Sequence, residues 1–279
     1  MPTALMTWDD LTRRPRPRPD ATVRYGADAV QKVDVWLPEG TGPFPTVLMV
    51  HGGCWQSSIA DCSLMDWAAA DLRASGYAVW NIDYRGVDRD GGGYPGTFLD
   101  AAQAADLLRA EAARFRCRPG RIVAVGHSAG GHLALWLAAR ATLPPGSPLA
   151  GGEPLRVDHV VALGGLPDLE ATAASPDNGC GTAVIDQLVG PASAVRRDRF
   201  ADTSITRLLP IGVPQDLVAG REDRIIPYRL QQAYAAAARD AGDAVTLHTV
   251  PATGHVELIA PGSAAWDMTR RLIQAAFAR

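Results

Sequence analysis

The sequence predicts an α/β fold with a mostly parallel central sheet covered by helices on both faces. Three observations lead there. Short apolar, β-branched runs recur at residues 46–50, 77–82, 121–126, 158–163, 215–219 and 244–250, each suited to a strand buried on both faces. Stretches rich in Ala and Leu at helical spacing separate most of them, and such alternation is the signature of strand–helix–strand crossovers. Residues 121–140 then read as a strand that feeds a helix through Gly126-His127-Ser128-Ala129-Gly130. A Gly-x-Ser-x-Gly turn in that setting is tight enough to present a serine hydroxyl at the C-terminal edge of a sheet. Side chains at 126 and 130 would collide where strand and helix meet, which is the steric reason for both glycines.

In chain order, residues 13–20 alternate Arg and Pro, a composition that favours extended, solvated chain, so residues 1–28 are expected to be an N-terminal extension. The domain proper is expected over 29–279. Residues 30–37 alternate as an antiparallel strand does, and 38–45, with three prolines and two glycines, form a turn. The strand at 46–50 ends on His51-Gly52-Gly53; a helix over 63–74 is closed by Gly76, and the next strand ends on Asp83-Tyr84-Arg85. A helix over 97–115 carries Thr97 and Asp100 at capping-box spacing. After the strand at 158–163, residues 166–210 have weak periodicity and several breakers, the pattern of a cap-like insertion over the mouth of a site. Helices over 228–241 and 264–278 complete the alternation.

The chain has 279 residues, 47% of them hydrophobic, and a formal net charge of -3. That is enough apolar material for one large core and gives no electrostatic reason to expect nucleic-acid or anionic-membrane binding. The first twenty residues lack a signal-peptide apolar run, and no later segment is apolar for long enough to span a bilayer; the default expectation is a cytoplasmic protein. Cys54, Cys62, Cys117 and Cys180 show no C-x-x-C pair, so free thiols are expected, with neither a zinc site nor a disulfide framework.

The elbow Gly126-His127-Ser128-Ala129-Gly130-Gly131-His132-Leu133-Ala134, with His51-Gly52-Gly53-Cys54-Trp55 upstream, resembles the α/β-hydrolase superfamily. Its esterase branch is the nearest in pattern: kynurenine formamidases (arylformamidases), hormone-sensitive-lipase-like esterases, and bacterial carbohydrate or feruloyl esterases. The resemblance runs from about residue 31 to the C-terminus. It implies the α/β-hydrolase fold and the chain order nucleophile, acid, histidine.

Ser128 is then the nucleophile, and its base lies downstream. His132 sits one turn along the same helix, His159 opens a strand at the wrong end of the sheet, and His248 falls inside a strand. His255 alone occupies a loop just after a strand, in a Gly254-His255 pair that matches the superfamily's base. Gly220-x-x-Asp223-x-x-x-Pro227 resembles the acid loop; Asp168 and Glu222 are the alternatives for that role, and an exposed Asp223 paired with Arg221 or Arg224 is the non-catalytic one. The oxyanion donors implied are the backbone N–H groups of Gly53, Cys54 and Ala129. Cys54 stands where lipases of this branch carry a third glycine. Trp55 either walls the substrate pocket or packs in the core. His51 and His127 match loop-forming and packing residues of the family. Together these residues imply a serine hydrolase acting on a small carboxylic ester, or on an arylformamide of the N-formylkynurenine kind, or on a sugar ester, with no metal and no organic cofactor. A binding protein on a hydrolase fold is the alternative of another class.

Overall fold

In the computed structural model, which describes residues 4–278, eight strands form one sheet in the order β1-β2-β4-β3-β5-β6-β7-β8. Along the chain the elements are α1 (Trp8–Thr12), β1 (Ala21–Arg24), β2 (Lys32–Trp36), β3 (Phe44–Val50), α2 (Asp66–Ala74), β4 (Ala78–Ile82), α3 (Gly96–Glu111) and β5 (Cys117–His127). They continue with α4 (Ala129–Ala138), β6 (His159–Leu163), α5 (Leu169–Ala173), α6 (Thr182–Val189), β7 (Gln215–Gly220), α7 (Tyr228–Asp240), β8 (Val245–Val250) and α8 (Ala264–Ala278). The pairs β1/β2 and β2/β4 are antiparallel, and from β4 to β8 every pairing is parallel.

Buried strands explain the apolar runs. On β3 and β5, Leu48, Val50, Ile122 and Ala124 face one apolar layer, while Val47, Met49, Val123 and Val125 face the other. Successive side chains of a strand point to opposite faces, so a strand covered on both sides has no polar position to give away. Each of these side chains is fully buried, which stabilises the fold by about 1.5–3 kcal/mol per large aliphatic residue. The loops after the parallel strands β3, β4, β5, β7 and β8 emerge at one end of the sheet, and they carry the residues expected to form the site.

Two local expectations are corrected. The sheet starts at Ala21, inside the segment expected to be an extension: Ala21 to Arg24 pairs with Val35 to Lys32, and α1 precedes it. Alternation over so few residues, preceded by an Arg-Pro run, left that edge strand without a pattern of its own. The helix α3 is also not capped by Thr97 and Asp100. Thr97 Oγ1 instead donates to Arg85 O at 2.6 Å, and Asp100 takes Arg85 Nε and Nη2 at 2.7 and 2.8 Å. Tertiary partners have claimed both side chains, so the Asp83-Tyr84-Arg85 segment is fastened to α3.

The insertion over 166–210 folds as α5 and α6 with intervening loops, and its far end is anchored to the elbow helix. His132 on α4 is fully buried and lies 2.7 Å through Nε2 from Thr203 O, and Trp136 Nε1 donates to Asp202 O at 2.9 Å. Burial drives the His132 pKa down to about 4, because the interior disfavours the imidazolium. A histidine that folds neutral is protonated more readily when unfolded, so its contribution is whole above pH ~6.5 and is lost as pH falls through the interval toward 4. Equilibrium unfolding measured between pH 7.5 and 4.5 should show stability falling below pH ~6.5, with His132 contributing a slope of up to ~1.4 kcal/mol per pH unit. His132→Gln should flatten that slope, and an identical pH profile in the variant would refute the assignment.

Candidate active site

Ser128 sits between β5 and α4, as the residue before the helix, with φ 55° and ψ -121°, a conformation that costs a non-glycine residue on the order of 1–3 kcal/mol. Its N–H donates to Leu163 O on β6 at 2.8 Å and its carbonyl accepts from Gly131 N at 2.8 Å, so the strained residue is pinned from both sides. A Cβ at Gly126 would lie 2.0 Å from Gly130 O, and one at Gly130 would lie 2.2 Å from Val50 O. The elbow therefore tolerates no side chain at either position, in line with the spacing argument.

His255 follows β8 in the loop over 251–255. Its Nδ1 lies 2.7 Å from Asp223 Oδ2, and the two side chains are 4% and 0% exposed. The other carboxylate oxygen accepts the N–H groups of Ile225 and Ile226 at 2.8 and 2.9 Å. Asp223 is thus an enclosed carboxylate with charge-matched donors on both oxygens, not an exposed partner of Arg221 or Arg224. The alternatives for the acid lie elsewhere in role. Asp168 caps α5 through Ala171 N, and Glu222 accepts from Thr253 N. Glu257 holds the histidine loop from behind, taking Gly254 N at 3.1 Å on one oxygen and Met6 N at 2.6 Å on the other.

The other histidines are accounted for without chemistry. His159 and His248 both bond Asp216, each at 2.7 Å. His51 Nε2 lies 3.0 Å from Asp83 Oδ1 and its ring stacks on Tyr84 at 4.3 Å, which fixes the course of the 51–55 loop. His127 Nε2 donates to His255 O at 3.1 Å, and its ring lies 4.4 Å from that of His255. Burial, helped by the adjacent His255, pushes the His127 pKa well below the usual value, so its ring is neutral and props the histidine loop.

Gly53, Cys54 and Trp55 all have positive φ, at 107°, 50° and 55°. The N–H groups of Gly53, Cys54 and Ala129 donate to no protein acceptor among the described residues, and Ala129 is the first residue of α4. Trp55 is fully buried, edge-on to His132 at 5.5 Å, and belongs to the core; the expectation that it walls the pocket is corrected.

Cys54 and Cys180 form a disulfide across 126 residues, which corrects the expectation of four free thiols; Cys62 and Cys117 remain free and buried. The insertion folds back over the 51–55 loop and brings the two Cα atoms within 5.3 Å. Nothing local in the sequence announces that meeting, because the pair is created by tertiary fold alone.

Ser128, His127 and His255 open onto one cavity of about 390 Å³, with Gly53 and Cys54 on its rim. The remaining walls are mostly apolar, formed by Ile59, Ala60, Leu64, Gly179 and Ile225, with Trp8 and Thr12 from α1. Among the described residues, no Lys, Arg, Asp or Glu lines it.

Residues 33–237 match the family model BD-FAE, well over half of the chain. The chain belongs to the BD-FAE family. Among curated proteins, Esterase LipC of Mycobacterium tuberculosis (strain ATCC 25618 / H37Rv) is 29% identical over 211 residues, 74% of this chain and 51% of LipC. The chain therefore spans about half the length of that relative. A truncated carbohydrate esterase from gut microbiota superposes with a TM-score of 0.76 at 19% identity, covering 95% of this chain and 100% of its own. Esterase B from Lactobacillus rhamnosis (HN001) gives 0.76 at 18%, covering 95% and 88%, and a bacterial heroin esterase gives 0.68 at 23%, covering 92% and 82%. At those identities the structures establish the α/β-hydrolase fold of this BD-FAE member.

Trp8, Thr12, Cys180 and Glu257 are site residues that motif reasoning passed over. A signal for the first two exists: Thr7-x-x-Asp10 is a capping box, and Thr7 N and Oγ1 donate to Asp10 Oδ2 at 2.7 and 2.8 Å. The disulfide ties the insertion to the loop that carries two of the expected oxyanion donors. Cys180→Ser in this BD-FAE protein should lower stability by on the order of 2–5 kcal/mol and lower kcat/KM against a short-chain ester. Thermal unfolding and initial rates, each with and without a phosphine reductant, check this; a reductant-insensitive wild type would refute it.

Proposed function

We propose that the protein is a serine hydrolase that cleaves small, neutral carboxylic esters through an acyl-enzyme. The observation that carries this reading is the convergence of Ser128, in a strained turn, and His255, backed by the enclosed Asp223, on one uncharged cavity. In the first step Ser128 Oγ attacks the ester carbonyl while His255 Nε2 takes its proton. Asp223 holds Nδ1–H, which sets the tautomer and stabilises the imidazolium as it forms. Negative charge on the tetrahedral oxygen is met by N–H groups from 53, 54 and 129, each donor contributing about 100-fold or more in rate. His255 returns the proton to the departing alcohol oxygen, leaving the acyl group on Ser128. Water then repeats the sequence and releases the acid. Protein groups and water balance every step.

The uncharged walls favour a neutral ester over an N-formylkynurenine-type amide, whose ammonium and carboxylate would lose hydration in the cavity without ionic partners. A protein that binds such molecules without turnover would keep the cavity but would not need a serine held in a strained turn. The disulfide favours an oxidising compartment over the cytoplasm expected by default from the sequence, because reducing cytosol keeps such thiols unpaired.

Ser128→Ala and His255→Ala should each lower kcat on p-nitrophenyl butyrate by about 10³-fold or more while circular dichroism and the thermal midpoint hold. Wild type should be labelled stoichiometrically by a fluorophosphonate and Ser128→Ala should not. Wild-type turnover in either variant, or an unlabelled wild type, would overturn the hydrolase reading. Faster turnover of N-formylkynurenine than of the butyrate ester would overturn the substrate class.

A further inference from the structure

On the open side of the cavity stands a residue from outside the region that matches the family. Trp8 lies in α1, and its ring meets His127 and His255 edge-on at 6.2 and 6.3 Å. On one side of Trp8 is the 390 Å³ cavity that contains Ser128. On the other is a second cavity of about 360 Å³, bounded by Leu5, Met6, Glu222 and Arg224. Both are lined by Trp8, Ile225 and His255, so the indole and Ile225 form the partition between them.

The partition is firmly built. Leu11, on the same short helix, is fully buried in the layer that holds Met65 and Trp67. Met6 N is bonded to Glu257, Arg14 Nη1 donates to Pro261 O at 2.9 Å, and Arg16 Nε pairs with the buried Asp66 at 2.7 Å. Trp67 Nε1 donates to Pro15 O at 3.2 Å. The arm is thus fastened on both sides of Trp8, although Trp8 itself remains 36% exposed. Thr12, one helical turn along, presents its side chain to the same cavity as Trp8.

We propose that Trp8 is a specificity-determining residue that confines the substrate to the Ser128 cavity and so selects short chains over long ones. The inference rests on the hydrolase reading above. Removing the indole joins the Ser128 cavity to a second space, walled by Leu5, Met6, Ile225 and Val256 together with Glu222 and Arg224, and gives a long acyl chain somewhere to lie. Adding bulk at Thr12 shrinks the first space instead. A pocket of this kind discriminates by on the order of tenfold or more per methylene accommodated or refused.

The experiment compares kcat/KM for p-nitrophenyl butyrate and p-nitrophenyl decanoate in the full-length protein. The butyrate-to-decanoate ratio should favour butyrate in wild type, fall about tenfold or more in Trp8→Ala, and rise in Thr12→Phe. The fall should come through a lower KM for decanoate. A ratio unchanged within about twofold in a Trp8→Ala protein that retains the wild-type thermal midpoint would overturn the proposal. If Trp8→Ala does not fold, Thr12→Phe decides, and an unchanged or lowered ratio there overturns it. Failure of the underlying reading looks different: wild type would then turn over neither ester.

Discussion

The arrangement depends on holding one residue, Ser128, in a backbone conformation that it would not adopt by itself. With φ 55° and ψ -121° the turn is unfavourable, and it persists because β3, β5, β6 and α4 over-determine it. Gly126 and Gly130 bring strand and helix into contact, Leu163 O on the neighbouring strand takes the Ser128 N–H, and α4 is locked behind by His132 and Trp136. The same closeness fixes the first turn of α4 beside the cavity that Ser128 lines. Strain at the elbow and rigidity of the central sheet are therefore one property, and the apolar runs of β3, β5 and β6 sustain it.

Around this fixed point the cavity is assembled from parts far apart in the chain. Asp223 and His255 come from the loops after β7 and β8, Cys54 from the loop after β3, Gly179 from the insertion and Trp8 from the N-terminal arm. Each part has its own fastening. Backbone amides hold Asp223, His127 and Glu257 hold the histidine loop, Asp83 and Tyr84 hold the 51–55 loop, and Asp66, Pro261 and Glu257 hold the arm. Rigid support of reacting groups and apolar walls around them serve the same end, since an ion pair exposed to water would be screened and a mobile histidine misaligned.

How much of this was legible in the sequence follows from the range of the forces involved. The central strands and most helices were readable because burial on two faces imposes local periodicity, as in 46–50 and 121–126. The meeting of Asp223 with His255, and of His255 with Ser128 at one cavity, follows motifs at strand ends with steric or hydrogen-bonding requirements, which is why those positions stood out in the sequence. The edge strand β1 was not, since four residues half-exposed on one face carry no strong pattern. Thr97 and Asp100 had the spacing of a cap, but Arg85, brought in from twelve and fifteen residues away, offered them better partners. Trp55 is fully buried and sits in a positive-φ turn that no composition reveals. Cys54 and Cys180 met only because an insertion without periodicity folds back across the sheet end.

That last meeting gives the molecule a covalent topology that its linear sequence lacks. The disulfide closes a ring from 54 to 180 that encloses β4, β5, α4 and β6, and with them Ser128. Asp223 and His255 lie on the tail that leaves the ring after Cys180, and Trp8 on the tail that enters it. Ser128 and His255 thus belong to different parts of the covalent framework, the first inside the ring and the second on a tail attached to it at Cys180. A single protease cut inside the ring would leave one molecule of unchanged mass, apart from an added water, until the bond is reduced.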